Sequence, residues 1–160
     1  MTEYSICKPF TMDILLVLSG DISLNPGPGS RYISGCLLNI RSVRNKSAAF
    51  AEFVNENNTD LFGVTETWLK PDDTESFISS ITPPGFNFTH IPRYGKKGGG
   101  VGFFIRENLD FKLLSTLSFQ TFENISIQIN SEGAQGTIFH LLYRPPNLSK
   151  AQFLDDFGVS

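Results

Sequence analysis

Two short apolar runs, at residues 36–40 and 60–65, are separated by a stretch long enough for about three turns of helix. Within that stretch, residues 45–57 carry Ala49, Phe50, Phe53 and Val54 on one helical stripe. A strand, a crossover helix and a second strand leave few choices. The strands lie parallel and adjacent, and the connection between them is right-handed. Their C-terminal ends then reach the same edge of the sheet. The first delivers Asn39, within Leu-Leu-Asn-Ile-Arg-Ser, and the second delivers Glu66, within Thr-Glu-Thr-Trp-Leu. An amide and a carboxylate so placed can hold one divalent cation against a phosphate, which makes metal-assisted phosphodiester cleavage the leading chemistry.

The remainder predicts mostly strands. Pro71-Asp72-Asp73 opens a loop, residues 74–81 suit a short helix, and Pro83-Pro84-Gly85 ends it. Phe86, Phe88 and His90 alternate with polar residues, 94–100 form a glycine-rich hairpin, and 101–106 return as a strand. Residues 111–115 and 124–129 are further strands, the latter alternating Ile125, Ile127 and Ile129 with polar neighbours. Residues 137–143 are apolar on both faces, which predicts a central strand. Arg144-Pro145-Pro146 stops it, and Ser149 is placed to cap a final helix reaching Phe157. With 40% hydrophobic residues and fifteen Phe, the chain can bury a β-rich core, so the Phe residues read as packing.

A net charge of −3 excludes nucleic-acid binding driven by overall charge, but not a metal site, whose cation restores local positive potential. Arg93, Lys96, Lys97 and Arg106 read as a solvated hairpin tip. Gly98-Gly99-Gly100 lacks the Lys and Ser/Thr of a phosphate loop and reads as a turn. His90 and His140 read as structural, and Glu123 as an acid standing behind the site rather than in it. Cys7 and Cys36 lack both a disulfide framework and metal-ligand spacing, so a reducing compartment is expected. The five glycosylation sequons, at Asn45, Asn57, Asn87, Asn124 and Asn147, read as chance. The longest apolar run, 14–18, is too short to span a bilayer and a poor secretory signal. These features predict an intracellular, non-secreted protein without stable membrane association.

The first 35 residues read as a leader, distinct from a domain at 36–160. Residues 14–18 suit a short apolar helix, and two prolines with three glycines across 20–29 mark a boundary. Asp21, Ile22 and the run Asn25-Pro26-Gly27-Pro28 resemble a ribosome-skipping, 2A-like peptide, with Ser23 where that family usually has Glu. The resemblance implies that no bond forms between Gly27 and Pro28, so that the mature product begins at Pro28.

Four segments, in order, resemble the endonuclease/exonuclease/phosphatase superfamily, specifically the apurinic-like endonuclease of non-LTR retrotransposons. They are Leu37-Leu38-Asn39-Ile40-Arg41-Ser42, Thr65-Glu66-Thr67-Trp68-Leu69, Arg93 with Gly98-Gly99-Gly100-Val101-Gly102, and Leu142-Tyr143-Arg144-Pro145-Pro146. The resemblance implies an α/β fold, a four-layer α/β/β/α sandwich, of which this chain supplies roughly half and mostly the first sheet. It implies Glu66 and Asn39 as Mg²⁺ ligands (Mn²⁺ as a substitute), Asn39 and Arg144 at the phosphate, and Tyr143 beside the scissile group. Target DNA, acted on in the nucleus, and a reverse transcriptase encoded by the same element are the implied partners. The family's later Gly-Asp-Phe-Asn-like and Ser-Asp-His segments, which activate water and steady the phosphate, do not occur here. The expectation is therefore a poorly stable piece of the enzyme, inactive alone. A phosphatase of the same fold and a non-catalytic remnant or binding-only domain are the alternatives.

Overall fold

A computed structural model describes residues 14–19, 33–93, 95, 98–119, 121–131, 134–145 and 149–158. Eight strands and three α-helices follow in chain order. They are β1 (Ile14–Ser19), β2 (Gly35–Asn39), α1 (Ser47–Glu56), β3 (Leu61–Thr65), α2 (Glu75–Ile81), β4 (Phe86–Ile91), β5 (Val101–Arg106), β6 (Phe111–Ser118), β7 (Glu123–Ser131), β8 (Ala134–Tyr143) and α3 (Lys150–Asp156). A single 3₁₀ turn, Val43–Asn45, leads into α1.

The strands form two four-stranded sheets, ordered β2-β3-β5-β4 and β1-β8-β7-β6. As the crossover predicts, β2 and β3 are parallel, with Asn39 directly across from Thr65. Every other neighbour pair is antiparallel. Strand β8 lies between β1 and β7, consistent with its two apolar faces.

Two expectations are corrected. Residues 14–18 do not form a helix but a strand, running from Ile14 opposite Tyr143 to Ser19 opposite Ile138. An isolated run of five or six residues is too short to pay for helix nucleation, whereas the edge of β8 offers hydrogen bonds at once. Nor does the chain supply mostly one sheet. Strands β6, β7 and β8 are an antiparallel meander whose hydrogen bonds go to one another and to β1, so they form a second layer.

One core lies between the first sheet and helices α1 and α2. Phe50 and Val54 of α1, Ile78 and Ile81 of α2, and Cys36, Phe62, Val64, Phe86 and Phe104 of the sheet are all buried there. Phe50 meets Phe62 edge-on at 5.7 Å, and Phe88 stacks on Phe104 at 3.9 Å. Ala49, although on the expected stripe, is exposed. The second core lies between the sheets, where Leu61, Val101, Phe103 and Ile105 meet Ile125, Ile127, Ile129, Leu141 and Tyr143. Strand alternation assigns each residue to one core or the other. Leu38 packs with the helices and Leu37 with the second sheet, so Asn39, two residues after Leu37, belongs to the inter-sheet side.

The expected N-cap is present, Ser149 accepting a bond from the Gln152 amide; at α2, which starts one residue later than expected, Thr74 caps in the same way by accepting the Phe77 amide. Among the described residues no helix is long and apolar enough to cross a membrane.

Candidate functional site

Backbone strain marks the ends of β2 and β3. Among the described residues, four non-glycine residues have positive φ: Arg41 (45°), Ser42 (78°), Glu66 (58°) and Trp68 (55°). All four follow these two parallel strands within three residues. Each left-handed residue costs roughly 1–3 kcal/mol and persists only where its surroundings hold it. Here the two segments hold each other. The Ser42 amide donates to the Glu66 carbonyl at 2.8 Å, and the Val43 amide to the Thr67 carbonyl at 3.1 Å.

The consequence for Glu66 is decisive. Alternation after Thr65 would send it toward the helices. Its left-handed backbone ends the alternation, and its carboxylate instead meets Tyr143, a residue of the inter-sheet core. The Tyr143 hydroxyl donates to Oε1 of Glu66, while Trp68 Nε1 and the Gly99 amide donate to Oε2, the latter at 3.2 Å. Asn39 stands one ladder position away on β2, its side-chain oxygen buried. The structure thus joins Glu66 to Tyr143 and sets Asn39 on the same side at the neighbouring strand end. Arg144 is buried, with its guanidinium 5.9 Å from the Phe153 ring of α3. Asp21, Asn25, Pro26, Gly27 and Pro28 lie outside the described residues.

Sequence reasoning misplaced Arg93 and Arg106 and did not foresee the partner of Glu123, which does stand behind Glu66. Arg93 is not on a solvated hairpin tip: its Nε lies 3.2 Å from Oε1 of Glu123, which is 3% exposed. The other oxygen of Glu123 accepts the Gly100 amide at 2.7 Å. Arg106 pairs with Asp60 at 3.7 Å and lies over the Phe86 ring, while Lys96 and Lys97 fall outside the described residues. The one available signal was a lone acid between Phe122 and the alternating isoleucines of β7, a costly residue to bury without a purpose. The glycine run does join β4 to β5, as expected of a turn. It also lies against Glu66 and Trp68, since the Trp68 amide donates to the Gly99 carbonyl at 2.9 Å.

Burial pushes the Glu123 carboxyl up to about 7, against the opposing pull of the Gly100 amide and Arg93, with nearby Glu66 adding to the rise. A raised carboxyl binds its proton more tightly folded than unfolded. Its contribution to stability is therefore full below about 4.5 and lost as pH rises through about 7. Glu123→Gln is expected to flatten this part of the melting-temperature profile between pH 4.5 and 7.5; an unchanged slope would assign it to another group. The two histidines pack as expected of structural residues. His90 stacks on Phe88 at 5.0 Å, and burial lowers its pKa; His140 Nδ1 lies 2.7 Å from Ser126 Oγ.

The family model for endonucleases, exonucleases and phosphatases matches residues 36–159. The chain belongs to that family. No curated protein matches it. Membership accounts for the mixed α/β architecture with two sheets and few helices, and it brings a hydrolase of the nuclease or phosphatase type. Enzymes of the endonuclease/exonuclease/phosphatase family generally depend on a divalent metal. The donors present suit a hard cation. Glu66 offers a carboxylate and Asn39 an amide oxygen, and Mg²⁺ takes only one or two carboxylates, leaving room for water and phosphate. Among the described residues no three His, Cys, Asp or Glu gather as a metal cluster.

Proposed function

We propose that this chain is the metal-positioning part of a Mg²⁺-dependent DNA endonuclease that nicks target DNA for retrotransposition, in partnership with a reverse transcriptase encoded by the same element. The observation that carries the reading is Glu66, which is turned by a left-handed backbone and held at both oxygens, beside Asn39 at the end of the parallel strand. When bound there, a divalent cation would polarise the scissile phosphate and neutralise developing charge. Glu66 and Asn39 would hold it. The Tyr143 hydroxyl, already aimed at this point, can donate to a non-bridging oxygen and stabilise charge as it develops. Arg144, which the resemblance puts at the phosphate, follows Tyr143 in sequence. It is buried with its guanidinium 5.9 Å from the Phe153 ring, so a role at the phosphate would require it to turn from α3. Water activation falls to the Asp and His segments that this sequence does not contain.

Trp68 favours a nucleic acid over a phosphoinositide. It is 44% exposed although its Nε1 is bonded to Glu66, so an aromatic face is presented beside the metal ligand. Stacking of one base on such a face is worth about 1–3 kcal/mol. The test is a nicking assay on supercoiled DNA, using the chain joined to a segment that carries the family's Gly-Asp-Phe-Asn-like and Ser-Asp-His motifs. Nicks are expected with Mg²⁺ or Mn²⁺ and none with a chelator. Phosphate release from phosphoinositides without nicking would transfer the site to the phosphatase class.

The 2A-like motif supports a second proposal, that Gly27 and Pro28 are left unjoined during translation. Residues 1–40 placed between two reporters are expected to give separate products, and Pro28→Ala a single fused one. Fusion with the native segment would reduce the motif to a linker.

A further inference from the structure

We propose that Glu123 is a positioning residue for Glu66, acting through the backbone of the glycine run, with Arg93 as its counter-ion. The inference rests on the reading of Glu66 as a metal ligand. It starts from register: Glu123 of β7 and Tyr143 of β8 are direct partners, so their side chains leave the second sheet side by side on one face. Both reach toward the end of β3. Tyr143 binds one oxygen of Glu66 itself. Glu123 binds the Gly100 amide at 2.7 Å, and the preceding amide, Gly99, donates to the other oxygen of Glu66. One rung of one sheet therefore holds both oxygens of a carboxylate belonging to the other sheet, directly on one side and through two peptide units on the other.

The glycine run has no slack in which to absorb a change. Its carbonyls accept the Thr67 amide at 3.2 Å and the Trp68 amide at 2.9 Å, which ties it to the segment that carries Glu66. A side chain at Gly99 would stand 2.5 Å from Arg93 Cδ and 2.6 Å from Glu123 Oε1, so the backbone rests directly on the ion pair. Gly98 lies on the opposite side, where a Cβ would be 3.4 Å from Glu66 Oε2 and 3.5 Å from Trp68 Nε1. The loop is thus wedged between the Arg93–Glu123 pair and the Glu66–Trp68 pair. Moving either carboxylate moves the peptide between them.

The experiment compares Glu123→Gln, Glu123→Leu and Glu123→Asp in the full chain by hydrogen exchange, read at the Gly99 amide and the Trp68 indole N–H. Both groups donate to Glu66, and neither touches a metal directly. Gln keeps an acceptor for Gly100 and is expected to change protection by less than about threefold. Leu, which has no acceptor, and Asp, which falls short of Gly100, are expected to lower it about tenfold or more, the scale of one hydrogen bond to a charged group. Asp decides the matter should Leu fail to fold. Wild-type protection at both groups in a folded Leu or Asp variant overturns the proposal. A separate arm adds Mn²⁺ to the wild-type chain and follows paramagnetic broadening of the Gly98–Gly100 amides. Absence of broadening there would remove the metal from Glu66 while leaving the exchange result to decide whether Glu123 positions that carboxylate.

Discussion

Glu66→Gln is expected to lower metal-dependent nicking by roughly two to four orders of magnitude, in the chain joined to a segment carrying the family's Asp and His motifs, without unfolding it. The amide retains the volume of the carboxylate and one oxygen for the Trp68 and Gly99 donors, so the local fold has reason to survive. It loses the charge that a hard cation requires, and it turns an N–H₂ toward the Tyr143 hydroxyl, where an oxygen now accepts. A melting temperature close to wild type together with lost activity is the expected pattern. Wild-type rates in the variant would take Glu66 out of the site.

Gly100→Ala carries the largest expected effect on stability. At φ +86° an added Cβ would stand 2.3 Å from Thr67 Oγ1 and 3.3 Å from the Ile91 carbonyl oxygen. The left-handed conformation costs an alanine on the order of 1 kcal/mol, and overpacking a closed site adds about 1–3 kcal/mol. For a chain of this size the sum corresponds to a fall of roughly 5–15 °C in melting temperature. Gly85 provides the control. Its φ is +81°, yet a Cβ there meets nothing within 4 Å, so Gly85→Ala should show the conformational cost alone. Equal shifts in the two variants would mean that the glycine run is not packed against Thr67 as described.

What could be read in the sequence was what depends on local pattern. The parallel pairing of β2 and β3 was visible, as were the stripe through Phe50 and Val54 and the turn that returns β4 into β5. The position of Asn39 at the end of its strand follows from that pairing, and the direction of Glu66 does not. Strict alternation places Glu66 on the wrong side, and only the left-handed turn after Thr65 brings it to Tyr143. No periodicity encodes such a turn, because it is maintained by partners distant in the chain. The Arg93–Glu123 pair was hidden for the same reason, since thirty residues separate a cation next to glycines from an acid at a strand start. The second sheet was hidden too. Its strands alternate as well as those of the first, and alternation says which face is buried but not which strand lies alongside.

Strand β1 carries one more consequence. It precedes Gly27 and Pro28, while its hydrogen-bonding neighbour β8 follows them. Were that peptide bond omitted during synthesis, the two would be born as separate molecules, and the seam running from Ile14–Tyr143 to Ser19–Ile138 would have to re-form by non-covalent complementation, as between the halves of a split protein. Translation chemistry would then decide whether the border of this sheet is closed from within or offered to a strand from elsewhere.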